Sequence, residues 1–300
     1  MGFLLWLSHD RNQNGYQIAL NGYIDALAGS DPRYSELEIT AQAFSKARKK
    51  LPYMVLEALC TETAKLKQSD RSTFKGFEVV ALDGTGFCVP DTKELNEHFN
   101  KHNTYSMEAY LPQGNLVAAV HTRTKTISHA MVDCLHSSEK CLASALIENF
   151  DTKTLFVLDR GFATHKLFEQ MYSNQQHFVA RLRVDRQAYK PFRNFAESGK
   201  QEEYLQLKNG VCLRLVRIEQ KTYEEPLFLA TTLPESMANL RELRKLYKER
   251  WEVETVYDFI KNIQNLEGFH ARDFNGVMQE LFSHFILHNL TAACGPEEET

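Results

Sequence analysis

The stretch Phe77-Glu78-Val79-Val80-Ala81-Leu82-Asp83-Gly84-Thr85-Gly86 and its later counterpart Thr154-Leu155-Phe156-Val157-Leu158-Asp159-Arg160-Gly161 decide how the chain is read. Each is a short apolar run of buried-strand length that meets an aspartate and then a glycine-containing, turn-forming sequence. The first strand is expected to stop at Asp83 and the second at Asp159. If the two strands are neighbours, their carboxylates lie side by side at one sheet edge, where open α/β sheets place their chemistry. Either aspartate alone reads more readily as a turn residue, because its side chain bonds the backbone that follows it.

Working outward, residues 1 to about 70 read as helical, with Ala41 to Lys50 and Tyr53 to Leu66 carrying apolar positions three and four apart and Pro52 marking a break between them. Asn115 to His121 and Thr126 to Cys134 read as strands joined by a polar turn. Ser138 to Phe150 reads as a helix opened by serine, with Glu139 in its first turn. A second helix follows Gly161. From His177 to Leu233 the pattern is β-rich, in runs at His177 to Arg183, Tyr204 to Leu207, Val211 to Glu219 and Pro226 to Thr232, with Asn209-Gly210 as a hairpin turn. Glu235 to about Asn265 reads as one long helix and Phe274 to Asn289 as a last apolar one. Three early strands on short connections suggest an antiparallel meander, and the helix after them supplies the crossover a parallel strand needs. The class is mixed α/β.

The 300-residue chain is 43% apolar, enough for one large or two ordinary domains with real cores. The opening apolar run Gly2 to Leu7 is too short for a membrane span and has no basic residue before it, so neither a signal peptide nor a membrane association is expected. Six cysteines without a Cys-x-x-Cys pair argue against a disulfide framework or zinc ribbon and for a reducing cytoplasm. The formal net charge of −4 gives no bulk signal for nucleic acid, but basic residues gather at Lys46 to Lys50, at Arg181-Leu182-Arg183 with Arg186, and from Arg241 to Arg250. Each cluster alone is ordinarily a solvated face.

On the expected long helix, Tyr247, Arg250, Glu254 and Lys261 project within an arc of about 60° at ~100° per residue. Leu246, Val253, Val256, Ile260 and Ile263 form the adjoining apolar stripe that would dock it on the sheet. Arg250 and Glu254 equally suit a surface i, i+4 pair, and Asp258 lies near the same arc, so helical geometry does not single out Glu254.

The spacing Tyr-(2)-Arg-(3)-Glu-(6)-Lys at Tyr247, Arg250, Glu254 and Lys261 resembles the signature of the DDE transposases of insertion-sequence family 4. In that family the first aspartate lies in a strand-ending Asp-Gly-Thr, matched by Asp83-Gly84-Thr85, and the second in Asp-Arg-Gly-Phe, matched by Asp159 to Phe162. The β-rich insertion also lies where the family has one, and Ala43 to Leu51 is similar to the segment preceding its catalytic core. Four matches in order over about residues 41 to 290 make coincidence improbable.

The resemblance implies an α/β, ribonuclease-H-like mixed sheet flanked by helices. The expected organisation is a helical N-terminal region over residues 1–75, the first part of the core over 76–180, a β-rich insertion over 181–225, and the rest of the core with the glutamate helix over 226–292. It also implies a DNA transposase that cleaves phosphodiesters at transposon ends and transfers the strand to target DNA. Asp83, Asp159 and Glu254 would be catalytic and hold two Mg²⁺ ions about 4 Å apart, with Mn²⁺ able to substitute. Asp83 would bridge the ions. Arg250 and Lys261 would contact phosphates, with Tyr247 packing on the same backbone. The implied partners are double-stranded DNA and a second copy of the chain, and the implied place is the bacterial nucleoid.

The chain is expected to start later and end earlier than family members, so the alternative is a truncated, inactive DNA-binding or regulatory derivative. Leu82-Asp83-Gly84-Thr85 is also similar to the Asp-x-Asp-Gly-Thr of haloacid-dehalogenase-type phosphatases, but alanine stands at 81 where their nucleophile would be. No His-Glu-x-x-His pattern or Gly-x-x-x-x-Gly-Lys loop is present.

Overall fold

A computed structural model describes residues 1–9, 15–67, 74–101, 110–207, 209–219, 225–251, 255–256, 260 and 266–295. Its centre is an eight-stranded sheet of β1 (Glu78–Cys88), β2 (Gln113–His121), β3 (Ile127–Cys134), β4 (Thr154–Leu158), β5 (His177–Arg181), β6 (Glu202–Gln206), β7 (Cys212–Ile218) and β8 (Leu227–Thr231), in the order β3-β2-β1-β4-β5-β8-β7-β6. β1, β4 and β5 run parallel, and every other pairing is antiparallel. The expected meander is therefore β1-β2-β3, and the crossover through α6 (Glu139–Leu146) delivers β4 beside β1. β8 returns beside β5, and the β7-β6 hairpin extends the sheet from it. The hairpin turns at Gly210, whose φ of +79° is the left-handed conformation expected of Asn-Gly.

The central strands read as continuous apolar runs because both of their faces are covered. Val80, Leu82, Phe156, Leu158 and Phe178 pack on one face, under α6, α7 (His165–Ser173) and α8 (Lys190–Glu197). Val79, Ala81, Leu155, Val157 and Val179 pack on the other, against α4 (Met54–Thr63), α9 (Leu240–Glu249) and α10 (Phe274–Cys294). Further described helices are α1 (Gly2–His9), α2 (Tyr16–Ser30), α3 (Ala41–Lys49) and α5 (Lys93–Phe99), with short 3-10 turns at Pro32–Tyr34 and Ile147–Asn149. No helix among the described residues is long and apolar enough to cross a membrane. All six cysteines are free.

Two expectations are corrected. β1 does not stop at Asp83 but runs on to Cys88, because Asp83, Gly84, Thr85 and Gly86 pair in register with Ala118, Val117, Leu116 and Asn115 of β2. An available ladder partner outweighs the turn preference of Asp-Gly-Thr-Gly. The stretch from Glu235 is also not one uninterrupted helix. Residues 235–237 form a turn, and α9 starts at Leu240 behind a capping box in which Asn239 accepts from the Glu242 backbone and the Glu242 side chain accepts from Asn239. At Arg250 the ladder tightens, its N–H donating to the Tyr247 carbonyl at 3.2 Å.

Candidate active site at the carboxyl edge of the parallel strands

The register fixes the site. Leu82 pairs with Leu158, and Leu158 with Ala180. The next residues, Asp83, Asp159 and Arg181, therefore occupy adjoining positions on three parallel strands, about 4.8 Å from strand to strand. Side chains alternate along each strand, so all three share the face of Ala81, Val157 and Val179, the face on which α9 packs.

α9 buries Leu243, Leu246 and Tyr247 against that face. Tyr247 reaches the sheet edge, where its hydroxyl donates to Asp159 Oδ1 at 3.3 Å and also bonds with Arg181. Burial pushes the Tyr247 phenol above its ordinary pKa, the Asp159 charge adds to this, and Arg250 and Arg181 oppose it. The phenol stays protonated and so remains a donor that orients Asp159. Arg250 is only 6% exposed, its guanidinium 6.0 Å from the Tyr247 ring centroid and 5.6 Å from that of the half-exposed Trp251. A buried position was not expected for a residue assigned to phosphate contact.

Glu254 and Lys261 lie outside the described residues, as do Val253, Asp258 and Ile263. Of the expected apolar stripe, Leu246, Val256 and Ile260 are buried. Among the described residues no three His, Cys, Asp or Glu side chains are grouped to hold a metal ion. Asp83 and Asp159 supply the hard oxygen donors that a divalent cation such as Mg²⁺ takes. Arg181 is the site residue that the sequence reading did not place. It stood in a basic cluster, and only the β4-β5 register puts it beside Asp159.

Gly84 explains why the Asp83 strand carries a glycine. A Cβ there would lie 2.6 Å from Glu139 Cδ and 2.7 Å from its Oε1, so the first turn of α6 closes over bare backbone. Gly84→Val is expected to destabilise the fold by about 1 kcal/mol, the low end of overpacking because the group it meets is the movable end of the Glu139 side chain, read by urea unfolding. Adding Glu139→Ala, which vacates the space, should restore most of that loss. A Gly84→Val protein of unchanged midpoint would show that Glu139 does not constrain the strand.

The transposase DDE domain family model matches residues 75–290. Transposase InsG of insertion sequence element IS4, from Escherichia coli K12, is 25% identical over 272 residues, covering 84% of this chain and 60% of that protein. The chain thus spans less than two thirds of that relative's length. The piggyBac transposase, solved as a synaptic complex with hairpin DNA, matches with a TM-score of 0.52 at 12% identity, over 97% of this chain and 63% of that one. At that identity the likeness shows the fold, and the mixed sheet in the order β3-β2-β1-β4-β5 is ribonuclease-H-like. With the family match running from the start of β1 almost to the end of α10, through both aspartates, the chain belongs to the DDE transposases and is of the insertion-sequence 4 type.

Proposed function

We propose that the chain is a DNA transposase that nicks a phosphodiester at each end of its element and joins the freed 3′-hydroxyl to a phosphate of target DNA. The observation that carries this reading is the adjoining placement of Asp83, within β1, and Asp159, just past β4, in a chain of this family. In the first step water attacks phosphorus and the 3′-oxygen leaves, taking a proton. In the second the 3′-hydroxyl loses its proton as it attacks, and the target's own 3′-oxygen leaves. Asp83, Asp159 and Glu254 would hold two Mg²⁺ or Mn²⁺ ions, which when bound stabilise the attacking and leaving oxygens of an in-line displacement.

The chain's own residues do the positioning. Tyr247 donates to one oxygen of the Asp159 carboxylate and is itself bonded by Arg181, so the two orient Asp159 through the Tyr247 hydroxyl. Arg250 and Lys261 are assigned to phosphates of the transposon end and Tyr247 to packing against the same backbone, with two copies acting together on double-stranded DNA at the bacterial nucleoid. Both aspartates standing in place supports the catalytic reading over that of an inactive derivative.

The test is nicking of a duplex carrying the element's own terminal repeats, in Mg²⁺ or Mn²⁺ and with excess chelator. Divalent-dependent nicking is expected from the native chain, with a loss of about a thousandfold in Glu254→Gln, since a lost metal ligand removes several kcal/mol of transition-state stabilisation. A Glu254→Gln protein that nicks at the native rate would overturn the assignment of that carboxylate.

A further inference from the structure

The aspartates occupy one face of the sheet edge, and the opposite face carries an open cleft of about 1070 Å³ between the N-terminal ends of α6 and α7 and the start of α8. We propose that this cleft binds the phosphate backbone of the DNA strand that continues past the scissile position, an inference that rests on the transposase reading above.

Four observations carry it. The first is charge. Lys140, Arg160, Lys166 and Arg183 line the cleft, and among the described residues Glu139 is its single lining carboxylate. Arg183 is held by Asp185 at 2.6 Å, whereas Lys140, Arg160 and Lys166 are exposed and make no ion pair among the described residues. Three solvated cations around one carboxylate, in a chain of net charge −4, form a local field that selects an anion.

The second is backbone polarity. α6 and α7 both present N-terminal ends here, capped by Ser138 and Thr164, so their free N–H groups and dipoles add to the positive field. The third is continuity with the catalytic edge. Arg160 follows Asp159 directly, Arg183 lies two residues beyond Arg181, and Glu139 packs under Gly84, the neighbour of Asp83. A strand passing Asp83 and Asp159 needs only to cross the sheet edge to enter the cleft. The fourth is size and chemistry. An open groove of this volume exceeds what a single small anion fills, and the exposed Tyr189 ring at its wall offers a surface on which a base can stack.

Cys141 provides the test, because it is exposed and lines the cleft, while the exposed Cys212 and Cys294 lie elsewhere and serve as internal references. The native chain is alkylated with a maleimide in low salt, alone and with a mixed-sequence duplex bearing a single-stranded overhang, at a DNA concentration that a gel shift shows to be saturating. Labelling at each cysteine is followed by peptide mass spectrometry. Cys141 should be protected at least fivefold by DNA, with Cys212 and Cys294 changed less than twofold. In parallel, the Lys140→Gln/Arg160→Gln/Lys166→Gln triple variant should bind DNA with a log K versus log salt slope shallower by about 2.7, one increment of about 0.9 for each phosphate that is no longer neutralised.

Full DNA binding with Cys141 still reactive, or an unchanged slope in the triple variant, overturns this inference and leaves the transposase reading standing. A chain that shifts no DNA at any salt overturns both. Protection by polyglutamate but not by DNA would assign the cleft to an acidic protein segment and also overturn the proposal.

Discussion

Asp83→Asn and Asp159→Asn should each lower divalent-dependent nicking by about a thousandfold or more while leaving the protein about as stable as the native chain in metal-free buffer. The two halves of this expectation have one cause. The carboxylates stand at adjoining positions of parallel strands, about 4.8 Å apart at the backbone. Neither carboxylate gains an opposite charge from the other, so neutralising either should cost the metal-free fold little. In the proposed mechanism they would be ligands of a cation, and losing one would forfeit several kcal/mol of transition-state stabilisation, each 1.36 kcal/mol being about tenfold in rate. Mg²⁺ in the millimolar range should raise the melting temperature of the native chain, since it binds only where the carboxylates are brought together, and should not raise that of either variant. An Asp159→Asn protein with native nicking and an intact Mg²⁺ shift would remove Asp159 from the site. A variant inactive only because it fails to fold would instead melt early in metal-free buffer.

This site shows what the sequence could and could not tell. That Asp83 and Asp159 follow buried apolar runs was legible, because Val79 to Leu82 and Leu155 to Leu158 are unbroken, the pattern of a strand covered on both faces. Their adjacency depends on the two strands being neighbours, which the β1-β4 pairing supplies. The β2 to β5 boundaries were legible to within about two residues for the same reason. The continuation of β1 through Gly84 and Gly86 was not, because glycine marks both a turn and a place where another group crowds the backbone. Only the Glu139 side chain lying over Gly84 separates the two readings.

Helix α8 was missed. Its sequence Lys-Pro-Phe-Arg-Asn-Phe-Ala-Glu is short and mostly polar, and it is held by Phe192 and Phe195 docking in a core that other strands build. Arg181 was missed because its role depends on which strand lies beside β5. No local spacing encodes that.

The second basic residue of the Lys46-to-Lys50 cluster has a different fate from its neighbours, and the largest expected loss of stability is there. Arg48 looked like part of a solvated basic face, yet its side chain is 6% exposed and that of its partner Glu280 4%. Arg48 Nη1 donates to Glu280 Oε1 at 2.7 Å and to the Tyr16 hydroxyl at 2.5 Å, Nε to Gln279 at 2.8 Å, and Nη2 to the Gly276 carbonyl at 2.9 Å. Glu280 also accepts the backbone N–H groups of His270 and Ala271, at 2.7 and 3.1 Å. One guanidinium thus ties α2 and α3 to α10, and α10 packs on the sheet face that carries the aspartates. Arg48→Met fills similar space but strands a buried carboxylate, which is expected to cost about 3–5 kcal/mol. At about 2–4 °C per kcal/mol for a chain of this order, melting should fall by roughly 10 °C. Arg48→Lys keeps the charge and loses the planar fork, so it should recover only part of the loss. The Arg48→Met/Glu280→Gln protein decides the cause: neutralising both partners should return most of the stability, because the loss comes from the unpaired charge rather than from the missing hydrogen bonds. A double variant as unstable as the sum of its singles would mean that the hydrogen bonds to Gln279 and Gly276, and not the ion pair, hold the helical layer in place.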